Sequence, residues 1–151
     1  MMPRRSDLRP VIVAAASLLL LGCPFRGKKG FENWNTNIPS SHFKTVATIA
    51  GGTSRSDIRM MVQVRQDLQK GGVNAVASSG RWDTVIEAMG QICASGAGQP
   101  VDGVVVVNFD HLVLYDCQTS KAAFEFQGTG EKGLTDMTAR LIKYLKRKPA
   151  A

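Results

Sequence analysis

Val104-Val105-Val106-Val107 is an unbroken β-branched run. Each residue is held near one χ1 well and suits a pleated backbone, and both parities are apolar, so neither face of such a strand can look at water. A strand of this kind belongs in the middle of a sheet covered on both sides. On its carboxyl side Asp110-His111 makes a short turn. Leu112 to Cys117 and Ala122 to Gln127 then read as two further strands joined by Gln118-Thr119-Ser120-Lys121. Connections this short require antiparallel pairing.

On the amino side Thr45-Val46-Ala47-Thr48-Ile49-Ala50 alternates and is β-branched, hence a strand. Gly51-Gly52-Thr53-Ser54 turns the chain into a helix with Ser54 or Ser56 as N-cap and Asp57 in its first turn. Ile58, Met61, Val62 and Leu68 are expected on its inner face, and Gly71-Gly72 to stop it. Val73 to Ala77 gives a short strand. Trp82, Val85, Ile86, Met89, Ile92 and Cys93 then mark one face of a second helix, ended by Gly96, Gly98 and Pro100. After Gly128-Thr129-Gly130 a last helix is expected to turn Leu134, Met137, Leu141, Ile142 and Leu145 inward, with Lys143, Lys146, Arg147 and Lys148 at its carboxyl end. The predicted order is β-α-β-α-β-β-β-α: an α/β fold of mixed α+β character. Its single mixed sheet has parallel first strands followed by an antiparallel meander, with helices packed on it.

Leu20-Leu21-Gly22-Cys23 resembles the lipobox of a bacterial lipoprotein signal peptide. Arg4, Arg5 and Arg9 precede an apolar run from Val11 to Leu21, the order of a secretory n-region and h-region. Eleven residues at about 1.5 Å rise cover roughly 17 Å, about half a hydrocarbon core, so the segment reads as cleaved rather than spanning. The resemblance implies cutting between Gly22 and Cys23, diacylglycerol on the Cys23 sulfur, and a further acyl chain such as palmitate on the new amine. Pro24 rather than an aspartate follows the anchor, which by the same resemblance implies delivery to the outer membrane, facing the periplasm; the inner membrane and the cell surface stay open. Arg4-Arg5 is followed by Ser6-Asp7 rather than by apolar residues, so a general export signal fits better than a twin-arginine one. The expected organisation is a signal peptide over 1–22, the lipidated Cys23 and a polar tether over 23–44, one globular domain over 45–148 and a tail over 149–151. Within the tether, Phe31, Trp34 and Phe43 are expected to dock on the domain.

The chain has 151 residues, 44% hydrophobic and 21% charged, which is ordinary for one domain with its own core and excludes wholesale disorder. Three of the 19 Lys and Arg and one of the 12 Asp and Glu precede Cys23, so the chain from Cys23 onward stays positive by five. A mildly basic domain favours anionic headgroups or acidic envelope partners. Nucleic acid is excluded, because export removes the chain from it and no basic stripe interleaved with aromatics is present. Cys93 and Cys117 are left either to bridge, in a compartment that permits it, or to stay as two buried thiols.

Candidate chemistry is sparse. Gly128-Thr129-Gly130-Glu131-Lys132-Gly133 matches G-x-G-x-x-G, but no returning parallel strand with an acidic residue follows, so these read as turn glycines and no cofactor is expected. Gly51-Gly52-Thr53-Ser54 at a helix N-terminus offers at most a weak anion site, since no P-loop lysine follows. His111, Asp110, Asp116 and Cys117 fall short of a zinc ligand set, so no metal is expected and His111 reads as a hairpin-turn residue. Neither His42 nor His111 has a recognisable nucleophile partner, and there is no G-x-S-x-G. No catalytic residue is assigned, and the chain is read as a non-enzyme.

From Val101 to Lys146 the order Asp-Gly-Val-Val-Val-Val, hairpin, Leu112 to Lys121, strand, glycine turn, helix is similar to a group of envelope α/β domains. These are the periplasmic domain of the curli secretion channel subunit, the N-terminal domain of the Tol-Pal translocation protein, and lipoprotein activators of penicillin-binding proteins. In that group a strand ending in Asp, a polar turn and a return strand recur, here Asp116 to Phe126. The resemblance runs through element order from Lys44 onward and carries over no binding residues. It implies a lipid-anchored periplasmic binding or scaffold domain that recruits an envelope protein partner. The alternatives are a ring-forming structural subunit, which would be a homo-oligomer, and a cell-wall or lipid-modifying enzyme.

Overall fold

The computed structural model describes residues 31–147 except Ser79, Arg81 and Thr129. The signal region 1–22, Cys23 and the tail 149–151 lie outside the described residues. In chain order the elements are β1 (Phe31–Trp34), a 3-10 turn (Ser40–His42), β2 (Thr45–Ala50), α1 (Arg55–Lys70), β3 (Asn74–Ala77), α2 (Val85–Ser95), β4 (Gly103–Val107), β5 (His111–Asp116), β6 (Ala122–Gln127) and α3 (Gly130–Leu145). The strands form one mixed sheet in the order β1-β6-β5-β4-β2-β3. β3, β2 and β4 are mutually parallel, and β4, β5, β6 and β1 form an antiparallel meander.

The valine run sits inside the sheet, between β2 and β5, with every residue of β4 buried. Its parity divides the core. Val105 and Val107 join Val46, Leu112, Leu114, Phe124 and Phe126 beneath α1 and α3, whose Val64, Leu68, Met137 and Leu141 are fully buried. Val104 and Val106 join Ala47 and Ile49 beneath α2, which contributes Ala88 and Ile92. Each large side chain so enclosed contributes about 1.5–3 kcal/mol. β2 passes through α1 to β3 on one side, and β3 returns through α2 to β4 on the other, so the two crossover helices cover opposite faces.

Three expectations are corrected. The domain begins before residue 45, because β1 pairs antiparallel with β6 and extends the meander by one strand. Trp34 packs edge-on to Tyr144 with centroids 5.3 Å apart, and Ile38 and Phe43 are buried. Trp34 and Phe43 therefore dock as expected, but as part of the fold rather than of a tether. Second, Ile58 and Ile86 do not face inward; they are 47% and 78% exposed. Each lies six residues before a buried position, Val64 and Ile92, which is roughly 120° around the helix from the buried stripe. Third, His111 opens β5 instead of forming the turn, and its Nε2 lies 2.7 Å from Glu125 Oε1 on β6. Tyr144, absent from the expected inner face of the last helix, is buried and donates to the Ile38 carbonyl at 3.2 Å.

Candidate functional site

β2, β3, β4 and β6 all point their carboxyl ends the same way, and the loops there diverge because α1 and α2 leave toward opposite faces. Between them lies an open cleft of about 610 Å³, at the kind of topological switch where open α/β sheets bind ligands. Its floor is Thr48, Ile49, Ala50, Met61 and Ala88, and Trp82 forms one wall. The Trp82 indole donates to Gln91 Oε1 at 2.7 Å and lies so close to Gly80 that a Cβ there would strike the ring. Gly51 is held against β4 by its N–H to the Val107 carbonyl at 2.8 Å, with Asn108 filling the space a side chain would need.

Among the described residues, the charged side chains that line the cleft are Asp83 and Glu87. Ser54 caps α1, accepting from the Asp57 N–H at 3.1 Å, while Asp57 Oδ2 accepts from the Ser54 N–H at 3.1 Å. Thr84 caps α2 by accepting from the Glu87 N–H at 3.1 Å, and Glu87 Oε2 accepts from the Asp83 N–H at 3.2 Å. Both helix N-termini thus already hold a carboxylate of their own chain, which disfavours a bound anion at Gly51 to Ser54. Among the described residues no histidine lines the cleft. An apolar floor under a carboxylate rim suits an apolar or cationic group.

The other sequence candidates are scattered. His111 and Asp116 stand at opposite ends of β5, so they share no site, and among the described residues no group of three His, Cys, Asp or Glu side chains converges. Cys93 on α2 and Cys117 after β5 are joined as a disulfide with 5.2 Å between Cα atoms. Gly128 and Gly133 pack closely where β6 passes into α3. The basic carboxyl end of the last helix expected from the sequence is joined in space by three further cations, at the far end of the sheet from the cleft: Lys44, Lys70, Lys121, Lys143, Lys146 and Arg147 flank the amino end of β2, the β5–β6 hairpin and the carboxyl ends of α1 and α3. All six are exposed, and among the described residues none is in an ion pair. Their signal in the sequence is dispersed over four segments, of which the carboxyl end of α3 alone forms a visible cluster.

Beside that basic end, Asp116 is 2% exposed and gathers the hairpin. Its Oδ2 accepts from Thr119 Oγ1 at 2.7 Å and Thr119 N at 3.1 Å, Oδ1 accepts from Gln118 N at 3.3 Å, and His42 Nε2 lies 2.9 Å from Oδ1. Burial alone would raise this carboxyl, but the Thr119 and Gln118 hydrogen bonds and the His42 ring outweigh it and hold it below the usual value. Burial, reinforced by Asp116 and opposed by Arg147, pushes the Tyr144 hydroxyl up to about 12. The depressed Asp116 stabilises the fold above about pH 4 and loses that effect as pH falls through its folded value. The raised Tyr144 stabilises it fully below about pH 10, a contribution lost as pH climbs through its folded value. Urea denaturation should therefore give a stability plateau with a fall at each extreme. Tyr144→Phe is expected to cost about 1 kcal/mol on the plateau through the lost Ile38 bond, and to flatten the alkaline fall. An alkaline limb unchanged in that variant would refute the assignment.

No protein-family model matches the chain, and no curated protein does. Among solved structures, a variant PelC dodecamer from Paraburkholderia phytofirmans in space group C2 is similar at a TM-score of 0.45 and 12% identity, over 78% of this chain and 96% of that one. A second PelC dodecamer from the same organism, in space group P6, gives 0.43 and 13%, over 78% and 93%. Histidyl-tRNA synthetase from Nostoc sp. gives 0.45 and 14%, over 72% of this chain and 24% of that one. At these values the likeness is one of chain path and carries nothing about activity or partner.

Proposed function

We propose that the protein is a lipid-anchored binding or scaffold component of a cell-envelope assembly or secretion machine, tethered at the outer membrane through Cys23 and acting by recruitment rather than catalysis. The observation that carries this reading is the division of the domain's surface. The end bearing the cleft is acidic and apolar, and the opposite end carries six exposed cations with no ion-pair partner among the described residues. A basic end of this kind suits an acidic face of an envelope protein, where unpaired lysines raise the association rate and select against basic partners. The cleft, with its apolar floor under carboxylates, suits the binding of an apolar or cationic group. Anchoring would supply effective concentration near the target without further contacts.

In-cell crosslinking of the tagged full chain, followed by mass spectrometry, tests the reading. The expected result is reproducible capture of an envelope assembly or secretion component, with crosslinks mapping to the basic end. Reversing Lys70, Lys143 and Lys146 together to Glu should lower that capture about tenfold, whereas reversing Arg55 and Arg59 should change it less than about twofold. Recovery of copies of the chain alone would favour the ring-forming subunit instead. Equal capture by both charge-reversed variants would remove the basic end from the interaction.

A further inference from the structure

We infer that the carboxyl end of the sheet lies against the bilayer, with Phe109, Ile58 and Ile86 as its apolar contacts. This rests on the proposed lipidation of Cys23 and adds to it an orientation. Among the described residues, the large apolar side chains that stand exposed are these three, at 56%, 47% and 78%. They come from three separate elements. Ile58 is in the first turns of α1, Ile86 is the second residue of α2, and Phe109 is in the β4–β5 loop. All three elements turn at the same end of the sheet, on both of its faces, so the apolar tips converge by topology and not by nearness in sequence. Phe109 is also held outward. The Asn108 N–H donates to the His111 carbonyl at 2.8 Å and the Gly128 N–H to the Asp110 carbonyl at 2.8 Å, which pins the loop on both sides of the ring.

The route of the chain independently selects the same end. Phe31 opens β1 opposite Gln127, the last residue of β6, so the chain enters the domain where the tips are. Seven residues separate Cys23 from Phe31, and even fully extended, at about 3.5 Å per residue, the connection reaches about 28 Å. A domain of this length is about 35 Å across. With acyl chains on Cys23 in the membrane, the link is too short to run the height of the domain and set the basic end on the bilayer. The charge balance at the tips tells what holds them: Arg55 and Arg59 are outnumbered by Asp57, Asp83, Glu87 and Asp110 among the described side chains. The carboxylates at the tips offer nothing to anionic lipid, so the contact the three apolar side chains make is with the acyl boundary beneath the headgroups, and any attraction to anionic headgroups comes from Arg26, Lys28 and Lys29 of the link.

The test uses the full lipidated chain in phosphatidylcholine vesicles doped with a lipid carrying a diazirine in its tail. After irradiation, peptides are mapped by mass spectrometry and the intact mass of the starting protein is recorded. Labelling is expected on the peptides of Phe109, Ile58 and Ile86, unchanged between about 0.1 M and 1 M salt because the contact is apolar. Phe109→Ser should lower labelling of its own peptide roughly fivefold while the protein stays on the vesicles, since the acyl chains and not the tip hold it there. Acylated protein labelled at residues 143–147, or on no domain peptide, overturns the orientation alone. An intact mass without acyl chains overturns the anchor and the orientation with it.

Discussion

Breaking the Cys93–Cys117 bridge is expected to lower stability by about 3.5 kcal/mol, the loop-closure entropy for a separation of 24 residues. In a domain of this size that is a fall of roughly 10–15 °C in Tm. The reason to expect the full effect is where the bridge sits. α1 and α3 share one face of the sheet and bury Val64, Leu68, Met137 and Leu141 between them. α2 has the other face to itself, is eleven residues long, and buries Ala88 and Ile92. A helix that short is marginal without tertiary support, and Cys93, one residue beyond Ile92, is where the bridge fastens it to the end of β5. The loss should therefore be local before it is global. Hydrogen exchange of the reduced protein should rise first along α2, and the cleft lining from Trp82, Thr84 and Ala88 should move with it. Replacing both cysteines with serine should match the reduced wild type. A Tm that shifts by less than about 2 °C on reduction, with two free thiols confirmed by mass, would mean that α2 holds without its staple.

That weakness is also where reading from sequence stops. The valine run places β4 inside the sheet because both parities are apolar, a property the four residues carry themselves. The hairpin lengths likewise determine the antiparallel meander of β4, β5 and β6. β1 is not legible, since Phe31–Trp34 is a strand only because Phe124 and Phe126 stand across from it, some ninety residues later. The helix faces are legible in period, but the expected arc is too wide. Ile58 and Ile86 fit a stripe that includes Met61 or Met89, and only the position of the sheet shows that the buried line runs through Val64 and Ile92. The cleft depends on a fact with no local signal: β3 and β4 lie on opposite sides of β2, which sends α1 and α2 to opposite faces. Whether Cys93 and Cys117 can meet stays open in the sequence for the same reason, because only that arrangement brings their Cα atoms to 5.2 Å.

Cys23→Ser, in a chain whose segment 1–22 is exchanged for an export signal cleaved without lipidation, is expected to move the protein from the membrane fraction to the soluble fraction almost completely, with loss of incorporated palmitate and of the corresponding intact mass. The size of the effect depends on what else could hold the chain. Acyl carbons contribute about 0.8 kcal/mol per buried CH₂, and two or more chains give stable attachment where one is marginal. Against that, the domain offers three apolar tips, each able to contribute at most about 1.5–3 kcal/mol and only if wholly withdrawn from water. Lost translational and rotational freedom opposes even that sum by several kcal/mol. The basic residues, Arg26, Lys28 and Lys29 ahead of the domain and Lys143, Lys146 and Arg147 at its far end, offer anionic lipid only a salt-screened attraction and cannot substitute for acyl chains at physiological salt. If they could, the Cys23→Ser protein would stay on anionic vesicles at physiological salt and leave at high salt. Partition that is nearly all-or-none and indifferent to salt from the physiological level upward is the expected outcome, measured by fractionation together with the intact mass. Wild-type protein that sediments with membranes but carries an unmodified Cys23 would show that another part of the chain is the anchor.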